Sequence, residues 1–202
     1  MASPAGQPLT LYGDGRSGNC DKVRFTLDYL RIPYEWIEVD SYAGETREPW
    51  FLEINPQGQI PLAVIPDFGT LAQSSAIIRV IAAGTALIPD EPRLAAALDE
   101  WMFWEANNHE PFVSACIGHM TYRGQARESR DEVCVRRGER ALDIMEACLA
   151  SREWFVGDSM TLADIALIAY TRNAERGGFE LHNRPCVRAW IARTKQALGV
   201  DA

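Results

Sequence analysis

Two hydrophobic patterns follow one another along this chain. Up to about residue 85, short apolar runs of strand length alternate with segments of helical periodicity, whereas the remainder carries helical patterns almost alone. In the first part, residues 9–12 predict a strand and residues 18–31 predict an amphipathic helix. Residues 34–39 alternate between apolar and polar positions and therefore predict a second strand.

The first part closes with a second group of elements. Residues 61–65 and 70–71 predict two strands joined by a turn, and residues 74–83 predict a helix after them. The predicted order is therefore βαβ followed by ββα, which is the order of a thioredoxin-like domain.

The second part begins after a proline-containing linker at residues 87–92. Four helical segments are predicted, at residues 93–108, 131–151, 161–169 and 185–198. We therefore expect a fold of the α/β plus all-α class. A thioredoxin-like domain is expected over residues 1–86, followed by an all-helical domain over residues 87–202.

A helix-start signal stands at the third of these segments. Thr161 and Asp164 have the spacing of a capping box, in which each side chain bonds a backbone N–H of the other residue. Residues 162–169 are apolar nearly all round, so this helix is expected at the centre of the helical domain. The capping box accounts for Asp164, which we expect to be structural.

Composition excludes several classes of protein. The 202 residues carry a net charge of −8, which argues against a nucleic-acid binder that needs a basic face. No apolar run approaches the roughly 20 residues of a membrane helix, and residues 1–8 have no signal-peptide pattern. We therefore expect a cytoplasmic protein that binds neither nucleic acid nor membrane.

The cysteines and histidines do not form a recognisable framework. The five cysteines are scattered without a C-x-x-C pair, so neither disulfides nor a zinc site is predicted. His119 and His182 have no partner at metal-ligand spacing, and no metal is expected.

Candidate chemistry begins where the first strand meets the first helix, at the sequence Ser-Gly-Asn-Cys of residues 17–20. A hydroxyl beside the exposed N–H groups of a helix start can hold an anion. A second strand-to-helix junction, at residues 73–75, follows the turn at residues 59–61. Together with residues 156–158 and the capping box, these motifs resemble the cytosolic glutathione transferases, of a serine-type bacterial or fungal-like group, over nearly the whole chain.

The resemblance implies that glutathione is the co-substrate and that the first domain binds it. In the family, the proline at the position of Pro61 is cis, and the residue before it, here Ile60, pairs with the cysteinyl part of the peptide. Gln73 and Ser74 would bind the ammonium and carboxylate of the γ-glutamyl group, and Gln59 would reach the glycyl end. On the residues alone, Pro61 could also be an ordinary turn proline and Ser74 only a helix N-cap.

Ser17 and Asn19 are the two catalytic candidates, because a hydroxyl and an amide can each donate a hydrogen bond to the glutathione thiolate. We expect Ser17 to do so and keep Asn19 as the alternative. Tyr12 stands one residue before the tyrosine of tyrosine-type transferases, where this chain has Gly13, so a core role is expected. Cys20 lies on an apolar helix stripe and is expected to be buried rather than nucleophilic.

The electrophile site is predicted from the resemblance, which implies that the aromatic-rich helix over residues 101–109 faces the sulfur. Four residues are candidate contacts for the electrophile: Tyr12, Arg16, Trp104 and Asn108. His109 stands near an expected helix break at Pro111, where a capping or polar core role is as consistent as catalysis.

The predicted function is transfer of glutathione, as its thiolate, to a small apolar electrophile, by a homodimer. Two other functions stay open. One is glutathione-dependent disulfide reduction, with Asn19 stabilising the sulfur, or peroxidase activity. The other is a non-catalytic module that binds glutathione or another ligand.

Overall fold

The computed structural model describes residues 8–200, and these form two compact units that divide between Thr85 and Ala86. This division lies one residue before the expected domain boundary. Residues 1–7 of the segment without a signal-peptide pattern lie outside the described residues, as do residues 201–202.

The first unit is built on a four-stranded mixed sheet with the strand order β2-β1-β3-β4. The strands are β1 (Leu9–Gly13), β2 (Tyr34–Glu38), β3 (Leu62–Ile65) and β4 (Gly69–Ala72). Strand β1 pairs in parallel with β2 and antiparallel with β3, so that Leu11 lies opposite both Trp36 and Ala63. The predicted thioredoxin-like order of elements is confirmed.

The described part of the first unit also contains three α-helices, α1 (Gly18–Tyr29), α2 (Pro49–Ile54) and α3 (Ser74–Ile81), and a short 3-10 helix, Glu45–Arg47. The predicted stripe of α1 is buried at Cys20, Val23 and Leu27. Helix α1 ends two residues before the predicted Arg31, because Arg31 adopts a left-handed φ of 56°. The N–H groups of Arg31 and Ile32 bond the carbonyls of Asp28 and Leu27, which is a Schellman helix end.

The second unit contains five α-helices among the described residues. They are α4 (Pro92–Trp104), α5 (Glu110–Ile117), α6 (Glu132–Leu149), α7 (Leu162–Thr171) and α8 (Pro185–Leu198). Helix α8 has the predicted bounds. The all-helical character predicted for this part of the chain is confirmed.

The expected helix break at Pro111 is wrong. A π-helical segment, Glu105–His109, follows α4 directly and leads into α5, so the helical path continues through the proline. Pro111 is the second residue of α5, and the π-helical turn before it, in which the Glu110 N–H bonds the Glu105 carbonyl, carries the helix past the proline. The sequence prediction failed because it treated the proline as an end rather than as the first turn of the next helix.

Helix α7 forms the centre of the second unit. Its residues Leu162–Ala169 are all buried, as the apolar sequence predicts. The capping box is present, with the Thr161 N–H donating to Asp164 Oδ2 at 2.9 Å. Asp164 also accepts from Trp190 Nε1 of α8 and from the Phe155 N–H, so one carboxylate joins three segments of this unit.

Candidate functional site

Ser17 is the N-cap residue of α1. Its Oγ accepts a hydrogen bond from the Cys20 N–H at 3.4 Å, and its own N–H donates to the Asp14 carbonyl at 2.9 Å. A hydroxyl that accepts a bond from its helix still has its proton to donate. The side chain is partly exposed, so Ser17 offers a donor beside the positive end of the α1 dipole.

The turn before Ser17 is held by Asp14, a residue that sequence reasoning missed. Its fully buried carboxylate accepts three hydrogen bonds from Arg16 and two from Ser41. Burial alone would raise the pKa of Asp14, but these bonds outweigh it and lower the pKa to about 2. A charged residue just after a buried strand was the available signal, although Ser41 lies 27 positions away.

The Arg16 side chain binds other residues of this loop. Its guanidinium pairs with Asp14 and Asp40 and lies 4.8 Å from the centre of the Tyr42 ring. This geometry favours a structural role for Arg16 in the loop rather than the predicted contact with an electrophile.

The starts of α1 and α3 are joined by a hydrogen bond. Ser74 Oγ donates to Asn19 Oδ1 at 3.1 Å, across 55 positions of sequence. Ser74 is buried and is the first residue of α3, while Gln73 occupies the N-cap position without a side-chain capping bond. The alternative interpretation of Ser74 as an N-cap is therefore wrong, and its hydroxyl is turned toward α1.

Gln73, the residue before Ser74, belongs to a polar cluster with Gln57 and Gln59. Its Nε2 lies 3.4 Å from Gln57 Oε1 and 3.5 Å from Gln59 Oε1, and both Gln73 and Gln59 are exposed. Gln73 has a φ of 71°, a backbone conformation that non-glycine residues seldom adopt and that is found most often at functional sites. Buried Asn55 holds the neighbouring loop by donating to the Gln59 carbonyl at 2.7 Å.

The turn into β3 lies beside this cluster. The Ile60–Pro61 peptide bond is cis, as predicted. Pro61 is buried, whereas Ile60 is partly buried and packs against the cluster formed by Val39, Phe51 and Leu62.

Gly13 and Cys20 are buried near the start of α1, and Tyr12 is partly buried on the other face of β1. The Tyr12 ring packs on the same core cluster and meets Phe51 edge-on at 6.4 Å, which favours the expected core role over an electrophile contact. A Cβ at Gly13 would lie only 2.5 Å from the Trp36 ring and 2.8 Å from Cys20 Sγ, so a tyrosine cannot replace it. Burial raises the pKa of Cys20 to about 12, which keeps this thiol protonated and unreactive.

The remaining candidates belong to the second unit. Trp104 is partly buried at the end of α4 and packs edge-on against Trp101, with ring centres 5.1 Å apart. Asn108 is exposed on the π-helical segment. His109 is fully buried, with Nε2 lying 3.0 Å from Thr171 Oγ1, so it has the polar core role.

The predicted site residues of the first unit thus form two adjacent groups. Ser17, Asn19 and Ser74 make one, and Gln59, Gln73 and the Ile60–Pro61 turn make the other. Among residues 8–200, no group of three or more His, Cys, Asp and Glu side chains could hold a metal ion. Over the same residues, no helix is both long enough and apolar enough to cross a membrane.

Comparison with known proteins gives consistent results for both units. A family model for the glutathione S-transferase N-terminal domain matches residues 16–83, and one for the C-terminal domain matches residues 106–196. Glutathione S-transferase 3 of Zea mays is 34% identical over 196 residues, which cover 91% of this chain and 87% of the relative.

Solved structures agree with the sequence comparisons. The crystal structure of a glutathione S-transferase from Pseudomonas fluorescens Pf-5 has a TM-score of 0.89 and 40% identity, and the match covers 94% of this chain and 95% of that one. Ure2p in complex with glutathione shares the fold, with a TM-score of 0.83 at 24% identity over 96% of this chain and 98% of that one. The chain belongs to the glutathione S-transferase family, whose members use glutathione as co-substrate.

Proposed function

We propose that this protein is a glutathione transferase in which Ser17 stabilises the glutathione thiolate for attack on a small apolar electrophile. The observation that carries the proposal is the hydrogen bond between Ser74 and Asn19, which brings two helix starts to one polar site. Helix starts favour anions, and glutathione bound as its thiolate offers one at the sulfur and another at the γ-glutamyl carboxylate.

The peptide would be held in an extended conformation. Ser74 and the N-terminal N–H groups of α3 suit the γ-glutamyl carboxylate, and the exposed amides of Gln73 and Gln59 suit the ammonium and the glycyl end. The backbone of Ile60, beside the cis peptide bond, would pair with the cysteinyl residue.

Energetics make a serine sufficient for this role. A thiol with a pKa of about 8.5 is only a few per cent ionised at pH 7, and lowering that pKa by about two units needs about 2.7 kcal/mol. A hydrogen bond to a charged group contributes about 1.5–3 kcal/mol, and a helix start adds about 0.3–2 kcal/mol. Ser17 as the N-cap of α1 combines both contributions.

In the reaction, the thiol proton leaves to solvent and the thiolate sulfur forms a bond to an electrophilic carbon. With an activated halide the halide ion departs, and with an unsaturated carbonyl the adduct takes up a proton. Trp104 and Asn108 of the second unit are the proposed electrophile contacts, in keeping with the partly buried ring of one and the exposed amide of the other.

The test is the pKa of the glutathione thiol in the complex, measured by ultraviolet absorbance of the thiolate. We expect wild-type protein to lower this pKa by about two units and Ser17→Ala to raise it again by about one to two units. Ser159→Ala, an exposed serine of the second unit, is the matched control and should change nothing.

Two outcomes would favour the other functions. A larger rise of the glutathione thiol pKa in Asn19→Ala than in Ser17→Ala would show that Asn19 stabilises the thiolate, and would support glutathione-dependent disulfide reduction. A thiol pKa in the wild-type complex equal to that of free glutathione would contradict the proposal and leave a binding module.

We also propose that the protein is a homodimer in which the first unit of one subunit meets the second unit of its partner. Large apolar side chains are exposed in both units, including Tyr42 and Phe68 in the first and Phe103 in the second. Burial of such side chains would contribute to the stability of this interface. Sedimentation velocity at micromolar concentration tests this, and a monomer would contradict it.

A further inference from the structure

We propose that Asp14 is a positioning residue for the thiolate site: its buried carboxylate, acting through Arg16 and Ser41, fixes the turn from which Ser17 reaches the glutathione sulfur. This inference rests on the proposed function, because it assigns a cause to the placement of Ser17. Asp14 itself lies behind the turn and has no role in touching the substrate.

The first step is the burial of the turn. Gly15 and Arg16 are exposed and Ser17 is partly exposed, whereas the Asp14 side chain is fully buried. Asp14 is therefore the inward anchor of an otherwise exposed segment. The other bonds of this turn, from the Gly15 N–H to Glu38 Oε1 and from Arg16 to Asp40, lie at its exposed side, so its buried side-chain bonds are those of Asp14.

The second step is the bonding of that anchor. Oδ1 accepts from the Arg16 N–H at 2.9 Å and from Arg16 Nε at 2.8 Å, so the carboxylate closes the turn locally. Oδ2 accepts from Arg16 Nη2 at 2.8 Å and from Ser41 Oγ at 2.7 Å, so it also ties the turn to the segment after β2.

The third step connects the anchor to Ser17. The Asp14 carbonyl accepts the Ser17 N–H at 2.9 Å, and the Ser17 carbonyl accepts the Asp21 N–H at 3.0 Å, so the turn runs directly into α1. The position of Ser17 Oγ therefore depends on the backbone that Asp14 holds at both its carboxylate and its carbonyl. A displacement of about 1 Å at a reacting group can cost on the order of a hundredfold in rate.

A purely electrostatic role for Asp14 would have the opposite effect. A carboxylate near a thiolate disfavours the thiolate, so removing its charge would lower the thiol pKa. Loss of positioning removes the Ser17 hydrogen bond and would raise that pKa. The sign of the change therefore separates the two roles.

The experiment uses Asp14→Asn in the full-length protein. The substitution preserves the shape of the side chain. Because N–H groups donate to both carboxylate oxygens, the amide NH2 of asparagine would face a donor in either orientation. We expect the pKa of bound glutathione to rise by about one unit, a tenfold loss of thiolate below that pKa. The pH profile of kcat with an activated aryl chloride should shift upward by the same amount, and KM for glutathione should change by less than about twofold.

The matched control is Asp164→Asn, the same chemical change at a buried aspartate of the second unit. It should lower thermal stability and leave the thiol pKa and the pH profile in place. If Asp14→Asn does not fold, Ser41→Ala removes one donor from the same carboxylate and should give a smaller shift of the same sign.

A double variant completes the test. In a Ser17→Ala background, Asp14→Asn should cause no further rise in the thiol pKa, because the hydroxyl whose position Asp14 fixes is gone. An equal rise in both backgrounds, no rise, or a fall would overturn the inference. The proposed function fails separately, and the inference with it, if wild-type protein leaves the thiol pKa unchanged or if Ser17→Ala alone has no effect.

Discussion

Asp14 and Asp164 are both buried carboxylates next to the start of a helix, yet different partners hold them. Asp14 is bound by the guanidinium of Arg16 and by Ser41, and its pKa is lowered to about 2. Asp164 accepts from backbone N–H groups, the Thr161 hydroxyl and the indole of Trp190, and burial raises its pKa in spite of these donors. Burial alone therefore does not fix the charge of an aspartate: at Asp14 the hydrogen bonds from Arg16 and Ser41 outweigh desolvation, whereas Asp164 lies deeper in its unit and desolvation outweighs its donors.

The two aspartates also differ in what they hold together. Asp164 joins the segments around α7 at the centre of the helical unit, whereas Asp14 holds one exposed turn at the carboxyl end of β1. We therefore expect Asp164 to contribute chiefly to stability and Asp14 chiefly to the geometry of the site.

The largest expected effect comes from Asp164→Ala. It removes the capping box and leaves the buried N–H groups of Thr161, Phe155 and Trp190 without their acceptor, so the free energy of unfolding should fall by about 3 kcal/mol or more. Urea unfolding measures this. Exposed Asp158→Ala is the control and should stay within about 0.5 kcal/mol of wild type, and equal losses in the two variants would contradict the central role of Asp164.

Next in size is a steric test beside Asp14. Gly13→Ala forces a methyl group against Trp36 and Cys20 and should cost about 2–3 kcal/mol in thermal or urea unfolding. Gly15→Ala, where the nearest atoms to an added Cβ are 3.8 Å away, should be close to neutral. If both glycines tolerate alanine equally, the packing behind Ser17 is looser than described.

The pH dependence of stability should have opposite sign for the two aspartates. Because the folded pKa of Asp14 is lowered, its contribution is complete above the unfolded pKa of about 4 and is lost as pH falls toward about 2, by up to about 2 kcal/mol. The raised folded pKa of Asp164 makes its contribution largest below the unfolded pKa, and it decreases as pH rises.

Unfolding of Asp14→Asn and Asp164→Asn across a pH series measures this contrast. The destabilisation caused by Asp14→Asn should shrink on acidification below pH 4, and that caused by Asp164→Asn should shrink as pH rises. Parallel pH dependence of the two variants would contradict the assignment of their pKa shifts.

The smallest effect should come from Arg16→Gln, which turns the surroundings of Asp14 into neutral donors like those of Asp164. The partly exposed guanidinium contributes about 1 kcal/mol, so stability at pH 7 should fall by about that amount. The acid transition should also move to higher pH, because the Asp14 pKa rises. Arg16→Lys keeps the charge and should retain most of the acid stability, which distinguishes charge from loop shape.

Much of the fold could be predicted from local sequence patterns. The stripe of α1, the capping box at Thr161 and Asp164, and the bounds of α8 all depend on residues within a few positions of one another. The helical path through Pro111 could not be predicted in this way, because the same proline ends one helix or begins another depending on the turn before it.

The sequence by itself determined the order of the elements, the apolar faces and the candidate residues at the two helix starts, since periodicity and capping act over single turns of helix and short strands. Only the tertiary structure decided that Ser74 bonds Asn19, that Ser41 bonds Asp14 and that Tyr12 packs in the core. These contacts join positions far apart in the chain, and which distant polar groups meet depends on how the sheet and helices pack, a property that no local pattern contains.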